Sequence, residues 1–260
     1  MPIFSYLAPT QVETLEQLAQ DLAKRAAIVL EDLGAHLRKA HLVLRESATA
    51  VPSLIPGHKV VSYERPVVGN FIAAISDLRD TTERLRQAIG KPALYSLAER
   101  VYFETAISLP IVARTMAYFD GQTTEYLGDG TLGLFVVPDD DAAKACKSAL
   151  KASVSAVEAI RYIVNPLLAD VNLPEVAIGV GIGMSRALVS AIGLPGQLIP
   201  NAFGECVFHA AKLSKWGANE VYADNTFETN YPETKAGKVR FRRTHRDEME
   251  GFLVSKHSAS

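Results

Sequence analysis

The 260-residue sequence predicts an α+β fold, a mixed sheet with helices packed on its faces, and three observations carry that prediction. Phe71-Ile72-Ala73-Ala74-Ile75 is apolar at every position, as a strand covered on both faces of a sheet should be. Thr123–Leu127 and Leu132–Val136 flank Gly128-Asp129-Gly130, a strong hairpin signal. Stretches of helical periodicity separate these β segments, giving the order helix pair, βαα, ββ hairpin, α, ββ, α, β, ββ.

Each element has its own warrant. From 11 to 47, Leu15, Leu18, Leu22, Ala26, Val29, Leu33, Leu37, Ala40 and Leu44 recur at spacings of three and four. That is a narrow apolar seam, suited either to a helix of the same domain or to the same helix of a second subunit. Gly34 weakens the run and divides it into a helix pair. Val51-Pro52 through Pro56-Gly57 has the composition of a linker, so 1–57 is an N-terminal helical segment with linker and 58–260 the main domain. A short strand is expected at Lys59–Ser62 and a longer one over Val67–Ile75. Asp80-Thr81-Thr82 then supplies N-cap chemistry for a helix carrying Leu85 and Ile89, which Gly90-Lys91-Pro92 ends. A second helix covers Leu94–Phe119, with a kink or division expected at Pro110.

After the hairpin, Asp139–Asp141 suits the N-terminal dipole of a helix from Ala142 to about Leu168. Val176–Met184 reads as a strand whose glycines admit a close backbone or leave room for a ligand. Ala187–Ile192 reads as its partner strand, followed by a turn at Gly193–Gly196 and a helix over Phe203–Trp216. Glu220–Ala223 is a short strand, and Val239–Arg243 with Phe252–Val254 forms a closing hairpin.

Composition narrows the function. A chain 48% hydrophobic and 22% charged can build a sizeable core. A net charge of −2 argues against a nucleic-acid binder. Cys146 and Cys206 lack metal-ligand spacing, and the six histidines form no zinc motif. No apolar run reaches the roughly 18–20 residues that cross a bilayer, and the first residues do not read as a secretory signal. The expectation is a cytoplasmic protein without membrane insertion. Neither a Walker loop nor a GxSxG elbow is present, and Gly179-x-Gly181-x-Gly183 lacks dinucleotide spacing. His209 reads as a packing residue and Trp216 as a cover for its helix end.

Two acidic residues stand at ends of apolar strands: Asp77 after FIAAIS and Asp129 in the LGDG tip. Brought together with the Leu78 carbonyl, they would offer the hard oxygen ligands that Mg²⁺ or Mn²⁺ prefers. Unassembled, they are two turn aspartates.

The combination of motifs resembles the class III nucleotidyl cyclases. Their strand-end Asp-Ile-x-Gly-Phe-Thr is matched by Asp77-Leu78-Arg79-Asp80-Thr81-Thr82, and their Lys/Glu-Thr-Ile-Gly-Asp by Glu125-Tyr126-Leu127-Gly128-Asp129. A glycine-rich strand like Ile178–Gly183 follows, and Gly-Asp-x-Val-Asn-x-Ala-x-Arg-Leu is matched by Gly204–Leu213. The resemblance spans about 66–254 and implies a ferredoxin-type mixed sheet beneath helices. It further implies that Asp77, Asp129 and the Leu78 carbonyl hold two divalent cations, Mn²⁺ or Mg²⁺. The N–H groups around Asp80, Thr81 and Thr82 would hold a triphosphate. Glu125 and Asn201 would read the base, Lys212 would stabilise the transition state, and a basic residue of the closing hairpin, Arg243 or Arg246, would grip the phosphates. The active site would lie between two copies of a homodimer. Three departures stand out: Phe208 for the ribose-orienting asparagine, Lys212 for arginine, and Asp80-Thr81 for Gly-aromatic.

The carboxylate at Glu125 only accepts hydrogen bonds, so it selects a base presenting N–H: guanine N1–H or uracil N3–H, each beside a carbonyl that an Asn201 amide could reach. Arg100–Thr105, Thr123–Gly130 and Ala211-Lys212-Leu213 further resemble the pyrimidine cyclases of bacterial Pycsar antiphage systems. In those systems cyclic UMP or cyclic CMP activates a separate effector, often a membrane protein. The expectation is therefore a cyclase that converts UTP to 3′,5′-cyclic UMP and pyrophosphate. CTP, a purine triphosphate, or a non-catalytic nucleotide-binding role are the alternatives.

Overall fold

The computed structural model describes residues 4–36, 50–84, 96–194, 196–232, 239–246 and 248–256. The first helix, α1 (Pro9–His36), runs through Gly34 without a division, and the second half of the expected helix pair lies outside the described residues. Leu15 and Ala19 are fully buried in the main core, where α1 packs on α3 (Leu97–Ala117); this half of the seam serves its own domain. The stretch read as a linker contains a strand, β1 (Ala50–Pro52), which pairs antiparallel with β2 (Val60–Ser62). Its turn-forming Pro56-Gly57 connects two short strands, which composition alone does not separate from a linker.

The central strand β3 (Val67–Leu78) alternates as a doubly covered strand must. Phe71, Ala73 and Ile75 enter one apolar core, and Ile72, Ala74 and Leu78 enter the other. A one-turn helix α2 (Thr81–Arg84) follows, and the breaker at 90–92 lies outside the described residues. Ser96 opens α3 with a capping box to Glu99, and α3 continues through Pro110, where a kink or division was expected. Burial of its flanking Leu109, Ile111 and Val112 holds the helix together across the proline.

The hairpin forms as expected from β4 (Gln122–Tyr126) and β5 (Gly130–Val136), with Gly128 at φ +71° in its tip. Asp141 caps α4 (Ala142–Ala159), which passes through a π-helical turn at Ile160–Val164 into α5 (Asn165–Asp170).

The largest departure from expectation follows. Val176–Met184 and Ala187–Ile192 are not partner strands; Ile178–Ile192 is one 15-residue strand, β6. Over 187–192 it pairs with β7 (Ile199–Gly204), and over 187–189 also with β3, so α6 begins at Glu205 and covers Glu205–Leu213. Ser185 and Arg186 read as a break, yet Ser185 pairs with Phe71 inside the ladder. A short helix α7 (Asn225–Asn230), not anticipated, follows β8 (Glu220–Ala223). The closing hairpin is β9 (Val239–Arg246) and β10 (Met249–Lys256).

The main sheet runs β4-β5-β3-β6-β8-β10-β9, with β7 on β6. The β6–β8 pair is parallel, joined across α6, and the other pairs are antiparallel. The first four strands in space, β4-β5-β3-β6, follow the ferredoxin-type order. Helices α1, α3 and α4 cover one face, and α6 with the β1–β2 hairpin covers the other.

Gly179, Gly181 and Gly183 explain how α6 lies so close. A Cβ at these positions would strike the backbone oxygens of Ser214, Ala210 and Cys206 respectively. The glycine stripe admits a helix backbone, the first of the two readings its sequence allowed.

Candidate active site

The register of β3 decides where its terminal residues point. Asp77 follows Phe71, Ala73 and Ile75 at period two and so lies on the α6 side of the sheet. It pairs across the ladder with Gly130 on one side and Gly179 on the other. Asp129, the residue before Gly130, is thereby carried beside it, and the Leu78 N–H donates to the Asp129 carbonyl at 3.1 Å. The strand-end and hairpin aspartates, 52 residues apart in sequence (129 − 77), meet as expected.

The electrostatics reflect that meeting. Burial holds the Asp77 carboxyl above the usual carboxylate range, and the neighbouring charge of Asp129 pushes it the same way. Arg79 and Lys215 act against that shift, Arg79 placing Nη1 3.3 Å from the Asp77 carboxylate. Two crowded carboxylates beside a backbone carbonyl form a hard-oxygen donor set, which fits a divalent cation that completes its shell with water and phosphate oxygens. Among the described residues no group of three or more His, Cys, Asp or Glu side chains is placed to hold a metal by itself.

The turn after Asp77 is tightly held. Asp80 adopts φ +60°, the left-handed region, the Arg79 N–H donates to the Ala177 carbonyl at 2.8 Å, and the Thr81 hydroxyl donates to the Leu78 carbonyl at 3.3 Å. Thr82 follows within α2. Glu125 reaches the same side of the sheet through a β-bulge. Thr123 pairs with Gly133, but Glu125 rather than Thr124 pairs with Leu132, whose side chain is in the α6-side core. Burial raises the Glu125 carboxyl above its usual range.

The structure does not gather every expected residue around Asp77. Asn201 on β7 pairs with Ser190, eleven residues along β6 (190 − 179) from the glycine opposite Asp77. Lys212 is exposed on α6, one turn from Phe208 and away from the sheet-facing Cys206 and Ala210. Phe208 itself is 63% exposed. Arg246 donates to the Trp216 carbonyl and stacks over Trp216 and Tyr222, at 5.8 and 5.9 Å from the ring centroids. Residue 217, next to that carbonyl, lines the space around Gly179. Arg243 is instead paired with Glu250 across the hairpin at 2.9 Å.

Sequence reasoning gave no role to Arg79, Lys215, Arg84 or Arg100. The 100–104 spacing of Arg and Glu was a visible i,i+4 signal, whereas the reach of Arg84 to the same glutamate required the fold. His209, read as a packing residue, hydrogen-bonds through Nδ1 to the buried Asp224 carboxylate at 3.1 Å, which also caps α7. Trp216 covers the end of α6 edge-on to Tyr222, as expected.

By sequence, no protein-family model and no curated protein matches the chain. By structure it is similar to the guanylyl cyclase Cya2, at 19% identity and a TM-score of 0.60 over 74% of this chain and 95% of that one. It is similarly close to the adenylyl cyclase CyaB from P. aeruginosa, at 15% identity and a TM-score of 0.61 over 75% of this chain and 98% of that one. A bacterial light-regulated adenylyl cyclase aligns at 15% identity and a TM-score of 0.59, over 73% of this chain and 52% of that one. The fold is that of the class III cyclase catalytic domain.

Proposed function

We propose that the chain is a metal-dependent nucleotidyl cyclase that converts UTP to 3′,5′-cyclic UMP and pyrophosphate. The observation that carries this reading is the apposition of Asp77 and Asp129 at one end of the sheet, on a fold shared with adenylyl and guanylyl cyclases. The two carboxylates and the Leu78 carbonyl would hold two divalent cations, Mn²⁺ or Mg²⁺. Such ions, when bound, neutralise triphosphate charge and help activate the ribose 3′-hydroxyl. The chain's own residues do the rest. The N–H groups of the Asp80–Thr82 turn hold the triphosphate, and Arg246, held at the Trp216 carbonyl after α6, reaches toward it. The 3′-hydroxyl gives up its proton to solvent water, and its oxygen forms a bond to the α-phosphorus as the bond to the bridging oxygen of the β-phosphate breaks and pyrophosphate leaves. Lys212 offsets the charge that develops on that leaving group.

Lys212 and Asn201 lie away from Asp77 within one chain, so two copies would share each site, one supplying the carboxylates and the other Asn201 and Lys212. Exposed Leu188, Ile192 and Ile199 beside Asn201 give that second copy an apolar surface to cover. Glu125, half-buried on the α6 side, accepts the N3–H of uracil while the Asn201 amide donates to a base carbonyl. Guanine satisfies the same pair, and the named neighbours include a guanylyl cyclase, so GTP is the second substrate to weigh. The narrower sequence resemblance supports the pyrimidine and, with it, an antiphage messenger that activates a separate, often membrane-bound, effector. No described helix is long and apolar enough to cross a membrane.

The test is turnover of all four ribonucleoside triphosphates with Mn²⁺, followed by product identification. Cyclic UMP as the main product supports the proposal; cyclic GMP or cyclic AMP replaces its substrate; a dimer inert toward all four overturns it.

A further inference from the structure

The strand-end turn that follows Asp77 is strained, and strain at such a place persists only where surrounding structure holds it. Asp80 is a non-glycine residue at φ +60°. Four residues later, Arg84 donates from Nε and Nη2 to both oxygens of Glu104, at 3.2 and 2.9 Å. Its Nη1 also donates to the Glu175 carbonyl at 3.0 Å, and Nη2 to the Pro174 carbonyl at 3.2 Å. Arg100 Nε donates to the same Oε1 at 2.8 Å. The Arg100 and Glu104 side chains are each only 4% exposed, and that of Arg84 is 13% exposed.

Two guanidiniums on one buried carboxylate are an expensive arrangement, and a buried ion pair is weak evidence for stability alone. This cluster does something more specific. It ties α2 to α3 and to the 174–177 segment, the same segment whose Ala177 carbonyl takes the Arg79 N–H. The turn at 79–84 is thus clamped at both ends, with the left-handed Asp80 between the clamps and the Leu78 carbonyl in the same peptide group as the first of them. A planar fork that spans a carboxylate and two backbone carbonyls is a task for arginine and not for lysine.

We propose that Arg84, locked on Glu104 and Arg100, is the positioning residue that sets the Asp77–Asp80 turn in its cation- and nucleotide-binding geometry. This rests on the cyclase reading of the site. Arg84 touches neither substrate nor cation; it acts through the turn.

The experiment uses the full chain with Arg84→Lys, which keeps the charge and loses the fork, and Glu104→Gln, which keeps the shape and loses the charge. Gln17→Ala, at the exposed hydrogen bond from Gln17 to Asp21 on α1, is the control. Mn²⁺ affinity is titrated by electron paramagnetic resonance without nucleotide, beside KM, kcat and thermal unfolding. The expected result for Arg84→Lys is Mn²⁺ binding and KM weakened on the order of tenfold to a hundredfold, with kcat changed far less. Gln17→Ala should leave all of these at parental values. Glu104→Gln should reproduce the Mn²⁺ loss, and it keeps the test decisive if Arg84→Lys does not fold. Parental Mn²⁺ affinity and KM in a folded Arg84 or Glu104 variant overturn the inference alone. A parent that binds no Mn²⁺ overturns the cyclase reading and this inference with it.

Discussion

The two ends of β6 are built on opposite plans. At Gly179–Gly183 the strand is sandwiched: α6 rests on its glycines, and Val180 and Ile182 are fully buried on the other face. At Leu188–Ile192, Leu188 and Ile192 are each 41% exposed, and Ile199 on the paired β7 is 62% exposed. The covered end carries the carboxylates, the basic side chains of Arg79 and Lys215 and the clamped turn. The open end carries Asn201 in an apolar setting that water covers poorly. One end is finished by its own chain, and the other leaves Leu188, Ile192 and Ile199 open.

The largest effect should come from the covered end's chemistry. Asp129→Asn removes a charge without removing the hairpin, because the Leu78 N–H is held by the Asp129 backbone carbonyl. Cyclic nucleotide formation should fall by roughly 10²–10³ or more, with the melting temperature near the parent's. Wild-type turnover in that variant would remove Asp129 from the site.

Next comes the packing contrast along β6. Gly181→Ala drives a methyl into the Ala210 carbonyl of α6, a backbone atom that cannot step aside. A cost of about 3 kcal/mol in denaturant unfolding is expected. Leu188→Ala, at the open end, should cost roughly 1 kcal/mol or less in the isolated chain. Equal costs would break the comparison.

Much of the covered end was legible in the sequence, and much of the open end was not. FIAAI, the LGDG tip and the glycine stripe are local signals, set by period-two burial and turn chemistry, and they put Asp77 near the end of a strand and Asp129 in a hairpin tip, where the fold has them. The continuity of β6 through Ser185 and Arg186 was not legible, because two polar residues between apolar runs look like a turn. Here they are ladder residues, with Ser185 accepting a hydrogen bond from the Cys206 N–H at the start of α6. Glu125 had been singled out, but its facing depends on a bulge at Thr123–Glu125, which no residue pattern announces. Without that extra residue its side chain would point to the α4 side. Arg84 and Glu104 are twenty residues apart (104 − 84), and only the packing of α2 on α3 makes them one cluster.

The open end yields a smaller effect, read as assembly. Ile192→Lys sets a charge on the apolar surface opposite Ile199. The dimer dissociation constant, by sedimentation, should rise roughly tenfold, while monomer unfolding stays close to the parent's. Activity per chain should fall at low protein concentration and recover as concentration rises. A parent that is monomeric at every concentration would mean that the open end meets something other than a second copy.

The smallest effect returns to the carboxylates. Burial and the Asp129 charge raise the folded pKa of Asp77 above its unfolded value, so the folded chain holds that proton more tightly. Its stabilising contribution is full below the unfolded pKa and is lost as pH rises through the folded pKa. Near neutral pH the charged Asp77 is therefore a net cost to the metal-free protein, despite the nearby Arg79. Asp77→Asn should raise the melting temperature of metal-free protein near neutral pH, and that gain should shrink as pH falls into the acid range. Mn²⁺ should stabilise the parent by binding the folded state, and stabilise Asp77→Asn much less. A variant less stable than the parent at neutral pH would mean that the Arg79 pairing outweighs the carboxylate repulsion. The covered end would then resemble an ordinary ion pair more than a site whose charge a cation relieves.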